Sequence, residues 1–346
     1  MRWVTWKPPS AAWRTASSIP AIPGSTAPDG IVTSAKDAGF DMLLTANNHC
    51  YDTGTVGLLR TVSVIEDAGL TVLGTADSTE DPKYQVVDIN GIKIGMVCYT
   101  YSVTQSTGQP NLNGWIVDTD AVGLVNVFDY DRLDSFYEEL SQQIAAMEEE
   151  GAEAIVLYIH WGNEYARKPN SYQTSMAQAI CDLGVDVIVG GHPHVIQPMD
   201  LLTSTVDETH KTVCLYSMGN AVSNQRLGNV SASKTAHTED GVLFTVTFAR
   251  YSDGTVALDS TDLIPCWVNM HTTGGVKEYN ILPLDPDTRD QWEMLYGLTS
   301  YTHQSAVSSY DRTMALVGEG LEKCQTYLAE ARAQREADYL AAQMTE

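Results

Sequence analysis

The segment Gly190-Gly191-His192-Pro193-His194 sets two imidazoles two positions apart. On an extended segment such residues point to one side, so His192 and His194 are expected to face the same way, with Pro193 stiffening the backbone between them. The pair ends the apolar run Val185–Val189, which reads as a buried strand. Neutral imidazole is a common protein ligand for zinc, iron, nickel and copper, and it also serves manganese. His160 ends a second apolar run, Ala154–Ile159, and is the third expected ligand. Behind it, Trp161 is a candidate to line the site and Glu164 to orient an imidazole from outside the ligand shell. A packing aromatic and a solvated acid are the plain alternatives for these two.

Asn47-Asn48-His49, with Asp52 close behind, completes the set. The Asn48 side-chain oxygen is a modest ligand for a hard or borderline cation. A histidine directly after a ligand projects away from the metal, so His49 is placed to face a substrate. Asp52 is positioned to hold that imidazole in one tautomer, as a carboxylate does for a general acid/base histidine. The bland alternative is a polar strand-to-helix turn in which Asp52 or Thr53 caps the helix.

These residues are carried by a recurring unit. An amphipathic helix ends in glycine, a short turn follows, and four or more apolar residues lead into polar chemistry. The copies are Lys36–His49, Glu148–Gly162 and Cys181–His194. The glycines suit helix C-terminal positions and the apolar runs suit buried parallel strands. In open α/β sheets, chemistry collects at the carboxyl ends of such strands, so the three runs are expected to deliver His49, His160 and His192/His194 to one sheet edge. Residues 54–68 read as a helix, 84–101 as a hairpin turning on Asn90-Gly91, and about 131–150 as an amphipathic helix. Strands are expected near 212–218 and 241–250, the second followed by a turn at Asp253-Gly254. From about residue 286 the sequence reads as a helical extension, 286–346, whose charged end suits a solvated or partner-facing helix.

Bulk composition narrows the function. Twenty Lys and Arg against 44 Asp and Glu give a formal charge of −24, which opposes a nucleic-acid or anionic-membrane partner. It leaves room for a local cation, since a bound divalent metal reverses the sign where it sits. The six cysteines (50, 98, 181, 214, 266 and 324) form no C-x-x-C pair, and several lie in apolar runs, so buried free thiols are expected. No run reaches the roughly 18 apolar residues of a membrane span, and no signal-peptide core is evident.

The order of motifs resembles that of the CapA/PgsA poly-γ-glutamate capsule-synthesis family. The matching residues are Asn47–His49 with Asp52 and Gly54, His160–Tyr165, Gly184–His194, and Tyr216–Asn220 with Gln225, within residues 29–285. That family looks like a branch of the calcineurin-like metallophosphoesterases. The resemblance implies an α/β, four-layer fold with two facing β-sheets flanked by helices. It implies that Asn48, His160 and His192 ligate one metal, that His194 ligates the other, and that His49 is the phosphate-facing acid. Asn47, Asn220 and Gln225 would stand behind the ligands or against substrate. It further implies divalent ions such as Mn, Fe or Zn, and metal-assisted attack of water on a phosphoester of a small molecule or polymer. The partner it implies is membrane-associated capsule-synthesis machinery at the cell surface. A non-catalytic scaffold of such an assembly is the rival reading, and a zinc amidohydrolase a third.

The family's opening carboxylates, a strand ending in G-D and a later N-L-E segment, have no counterpart in this sequence, so the first strand of the fold is expected to be missing. The plausible carboxylate upstream of Asn48 in the matching region is Asp29 or Asp41. Two divalent ions are implied for a full-length parent, and one or none here. Residues 1–28 hold three of seven tryptophans, five of thirteen prolines and no acid. They read as an out-of-frame segment, with the natural frame resuming near Ala27; the anchor usual in the family is not found in them.

Overall fold

The computed structural model describes residues 27–227 and 237–343, so the out-of-frame reading of the N-terminal segment lies outside the described residues. The chain opens with α1 (Gly30–Asp37), β1 (Met42–Leu44), α2 (Gly54–Asp67) and β2 (Thr71–Leu73). A hairpin follows, β3 (Tyr84–Ile89) and β4 (Ile92–Tyr101), turning on Asn90-Gly91 as the sequence predicts. The connection beyond it carries a small three-stranded sheet, β5 (Val103–Thr104), β6 (Pro110–Leu112) and β7 (Trp115–Ile116), and then β8 (Val127–Phe128).

Next come α3 (Leu133–Glu149), β9 (Ala154–His160), α4 (Ser171–Asp182) and β10 (Val187–Gly191). Helix α3 buries Phe136, Leu140, Ile144 and Met147, one stripe of a 3.6-residue period, each contributing roughly 1.5–3 kcal/mol. Gly151 closes the turn after it with φ 92°, a conformation that a Cβ disfavours. Helix α4 starts on a reciprocal capping box between Asn170 and Gln173. Strands β11 (Met199–Thr203) and β12 (Lys211–Leu215) complete a seven-stranded sheet ordered β11-β12-β10-β9-β4-β3, with β8 on the end of β4. Its inner strands β4, β9 and β10 run parallel, with Thr100 opposite His160 and His160 opposite Gly191. Both faces of these strands are covered, which is why they read as unbroken apolar runs.

One face of this sheet packs on α3 and α4. The other meets a second layer made of β1, β2, β13 (Asp240–Arg250) and β14 (Val256–Thr273), whose partner is β15 (Val276–Pro283). The outer face of β1 and β2 is covered by α1 and α2. The mixed α/β fold with several sheets flanked by helices therefore holds. The second layer is in two pieces, however: β1 pairs only with β2 among the described residues, and β13, β14 and β15 form a separate sheet. Between them lies a cavity of about 170 Å³ lined by Met42, Leu44, Tyr158, Phe244 and Val246. Leu44 lines this cavity and is 44% exposed, on a strand whose second edge is unpaired among the described residues.

After Pro283 come a 3₁₀ turn (Pro286–Gln291), α5 (Trp292–Leu295) and the long α6 (Ser300–Gln343). The first two-thirds of α6 buries one face: Val317, Leu321, Cys324 and Leu328 enter the main core. Past Leu328 the helix runs over the surface, with Arg332 reaching Asp259 and Arg335 over the Tyr251 ring. All six cysteines are free thiols and five are buried. Among the described residues, no helix is long and apolar enough to cross a membrane.

Candidate metal centre

The three apolar runs do converge, but not at one sheet edge. Strands β9 and β10 deliver His160, His192 and His194 from the seven-stranded sheet, while the turn after β1 brings Asn48 and His49 from the facing layer. The site is assembled across two layers. The Asn48 Oδ1 stands 3.0 Å from His160 Nε2, the closest contact across the cluster. Ring centroids of His160 and His192 are 4.8 Å apart, and those of His192 and His194 are 6.3 Å apart.

His192 and His194 do not sit on extended backbone. Strand β10 stops at Gly191, and the two histidines take φ of 93° and 59°. Such conformations cost a residue with a Cβ roughly 1–2 kcal/mol each, and they persist where the surroundings over-determine them. Just before the bend, Gly190 lets the neighbouring backbone close in: a Cβ there would stand 2.0 Å from the Tyr216 carbonyl oxygen.

His160 and His192 are half-buried neutral bases. Burial holds the His160 imidazole well below its ordinary range, and the neighbouring imidazoles push the same way. Burial likewise lowers His192 to about 4, with His194 and His49 adding to it. Neutral imidazoles are the form that ligates a cation. His192 Nδ1 is buried with no hydrogen-bond partner, and in its unprotonated form it is a lone pair that a cation would satisfy. His194 is held by Asn220, whose Oδ1 lies 3.0 Å from Nδ1 and whose amide donates to the His194 and Thr238 carbonyls. That leaves His194 Nε2 outward, 4.0 Å from Glu164.

His49 is 48% exposed, and its Nδ1 lies 2.8 Å from Asp52, which is largely buried. Asp52 therefore does not cap α2; Thr53 holds the cap position and makes no side-chain cap bond. Asn47 shapes the turn, accepting from the His49 amide and donating to the Thr45 carbonyl. Trp161 takes the packing alternative: it is fully buried, donates to the Tyr216 carbonyl and stacks on that ring away from the cluster. Gln225 sits against Tyr165, whose ring stacks on His194 at 5.9 Å. Asp29 pairs with Arg60 on the surface, and the Asp41 carbonyl joins β2, so neither acid serves the site.

Two residues escape the sequence reading. Tyr101, at the end of β4, lies 5.0 Å from His192 and 6.5 Å from His160, ring to ring. The apolar run before it and its place at a parallel strand's carboxyl end were the available signal. Asn113, in the β6–β7 turn, comes within 3.2 Å of His49 Nδ1; its Asn-Gly sequence signals a turn and nothing about the site.

Among the described residues, no three or more His, Cys, Asp or Glu side chains converge tightly enough to form a ready cation site. The donors at the cluster are neutral, so they fit one divalent cation in part and do not fit a pair, whose mutual repulsion needs bridging anions.

The family profile described as bacterial capsule synthesis protein PGA_cap matches residues 12–225. The chain is 30% identical over 202 residues to capsule biosynthesis protein CapA of Bacillus anthracis, covering 58% of this chain and 44% of that protein. Over 192 residues it is 30% identical to PGA biosynthesis protein CapA of Bacillus subtilis, covering 55% and 44%. A probable polyglutamine synthesis accessory protein of Mycobacterium tuberculosis is 26% identical over 160 residues, covering 45% and 40%. The chain spans less than half the length of these relatives. The sulfate thiohydrolase SoxB of Thermus thermophilus, solved with glycerol, aligns at a TM-score of 0.38 and 14% identity, over 83% of this chain and 39% of that one. That likeness is too slight to bear on the site. The match over more than half the sequence, with the Asn48, His160 and His192/His194 motifs inside it, places the chain in the bacterial capsule synthesis protein family.

Proposed function

We propose that this chain acts in capsule or poly-γ-glutamate assembly through a metal-dependent phosphoesterase-type site. The observation that carries the proposal is the pairing of two elements at one place. A cluster of neutral donors, buried Asn48 with half-buried His160 and His192, lies beside an exposed imidazole, His49, held by Asp52 at 2.8 Å. A divalent ion at the cluster supplies polarisation of a phosphoryl oxygen and a water nucleophile at neutral pH. His194, held by Asn220, offers a further nitrogen toward the same region. Asp52 accepts from Nδ1–H and offsets the charge of a protonated His49, whose Nε2–H then faces outward and gives its proton to the leaving oxygen of a phosphoester, leaving the imidazole neutral. A cation is also what admits an anionic substrate to a chain of formal charge −24. The substrate class is a phosphoester on a small molecule or a polymer. The names of the relatives support a place with membrane-associated capsule machinery at the cell surface.

A second reading has its own observation: the converging donors are neutral, and no cluster of three or more His, Cys, Asp or Glu forms among the described residues. On that reading the chain is a non-catalytic scaffold of the same assembly. Metal analysis of the purified chain, with phosphomonoester and phosphodiester assays against His192→Ala and His49→Gln, decides between them. The enzyme reading requires bound metal lost in His192→Ala, together with turnover that falls about 10²–10⁴-fold in His49→Gln. Metal-free protein without turnover supports the scaffold.

A further inference from the structure

His194 Nε2 and the Glu164 carboxylate stand 4.0 Å apart on two turns that are bonded together. The Tyr165 amide donates to the Pro193 carbonyl at 2.7 Å, joining the residue after Glu164 to the residue before His194. Both turns are strained. Among the described residues, Asn90 and Asn113 take left-handed φ ahead of a glycine in hairpin turns. The other residues with a Cβ in that region are Tyr165 (63°), His192 (93°) and His194 (59°), all at this place. Such backbone persists where its surroundings over-determine it, and it gathers at functional sites. Here the buried Gln197 does so: its amide donates to the Ala166 and Lys168 carbonyls at 2.8 and 3.2 Å, and its oxygen accepts from Gln173 at 2.8 Å. The loop that carries Glu164 is thereby stitched to the segment after His194.

Hydrogen bonds also fix which His194 nitrogen is open to a cation. The Asn220 NH₂ group is committed to the His194 and Thr238 carbonyls, at 3.2 and 2.8 Å, which turns its oxygen to His194 Nδ1 at 3.0 Å. That oxygen accepts, so Nδ1 carries the proton and the neutral ring keeps its lone pair on Nε2. A lone pair thus stands opposite a carboxylate, acceptor against acceptor. Their separation of 4.0 Å is wider than the roughly 2.7–3.2 Å of a hydrogen bond. It falls within the roughly 3.3–4.3 Å between a nitrogen and an oxygen that share a zinc-like ion at about 2.0–2.2 Å each. We propose that Glu164 is a direct ligand, holding a divalent cation together with His194 Nε2, and not an acid that orients an imidazole. Asn48, His160, His192 and His194 are neutral, and Glu164 brings the ion the negative charge that they lack. Water or a substrate oxygen completes the shell of an ion held by so few side chains. This rests on the metal reading above and deepens it.

Histidine-selective ¹⁵N NMR of the metal-free full chain, titrated with Zn(II) at about pH 8, tests it. Before the metal is added, His194 should carry its proton on Nδ1. Zn(II) should then move the His194 Nε2 resonance into the ligated range. Glu164 is 47% exposed, so Glu164→Gln should fold like the parent. In that variant the same shift should need about 100-fold more Zn(II), the top of the range for a group that only orients a ligand, or beyond it. The loss should persist at about 0.5 M salt, which screens the field of an exposed acid but does not break a bond. A loss under about tenfold, a loss that vanishes in salt, or a proton on Nε2 of the metal-free chain would overturn the ligand role. If Zn(II) moves His160 and His192 but not His194, this seat fails and the metal reading stands. If it moves none of them, both fail.

Discussion

His192 combines a left-handed backbone with an unpartnered buried ring nitrogen, so replacing it with glycine should behave unlike an ordinary core truncation. Two features add up there. Its φ of 93° is open to glycine but costs a side chain roughly 1–2 kcal/mol. Its buried Nδ1 lacks a partner, worth about 1 kcal/mol or more. Against these, His192→Gly forfeits ring packing on Tyr101 and His160 and adds backbone freedom to the unfolded chain, about 1–3 kcal/mol together. At pH 7.5 the terms nearly cancel, and the two proteins should unfold within about 1 kcal/mol of each other. Acid separates them. Burial lowers His192 to about 4 in the fold, so below its ordinary 6.5 the unfolded chain binds a proton that the native state refuses. Native stability of the parent thus falls with pH through that window, and His192→Gly is spared. At pH 5 the difference is about 1.5 pH units at 1.36 kcal/mol each, or about 2 kcal/mol in favour of the variant. Urea unfolding of both proteins in chelator at pH 7.5 and pH 5 measures it. A difference in stability that stays the same at the two pH values would refute the claim that His192 is a half-buried neutral base.

Three other substitutions probe the frame around the site. Gly190→Ala sets a Cβ against the Tyr216 carbonyl and the Trp161 indole nitrogen, at 2.0 and 2.5 Å, and should cost about 2–4 kcal/mol in denaturant unfolding. It should also disturb the His192–His194 bend. Arg312→Ala removes the guanidinium from Asp240, which is 4% exposed and also accepts from Ser309. Leaving that carboxylate buried and unpaired should cost about 3–5 kcal/mol by the same measurement. Burial pushes the Asp186 carboxyl up to about 6, although it accepts the Ile155 amide. It therefore holds its proton in the fold where the unfolded chain has released it, and it destabilises the native state as pH rises from about 4 to about 6. Asp186→Asn keeps an acceptor for Ile155 and should gain about 1–3 kcal/mol over the parent between pH 4 and pH 7, read from the melting temperature.

The sequence by itself determined the local elements and the cast of the site. Apolar runs covered on both faces, a 3.6-residue stripe on α3 and the Asn90-Gly91 turn are signals contained within a few neighbouring residues, so β9, β10, α3 and the β3–β4 hairpin were legible. The donor types at Asn48, His160, His192 and His194, and the His49/Asp52 spacing, were legible for the same reason. Tertiary structure alone decided how they meet. Strand β1 pairs in a separate piece of the second layer, so Asn48 reaches His160 across two sheets, a contact 112 residues long that no local pattern encodes. That His192 and His194 take a left-handed bend instead of sharing an extended side is not encoded in the H-x-H spacing, and only the folded backbone shows it. Trp161 could have lined the site or the core, and the fit of its indole to the Tyr216 carbonyl settled it. Tyr101 and Asn113 joined the site because burial and turn geometry brought them there from β4 and the β6–β7 turn, and the physics that selects such neighbours is packing between segments distant in the chain.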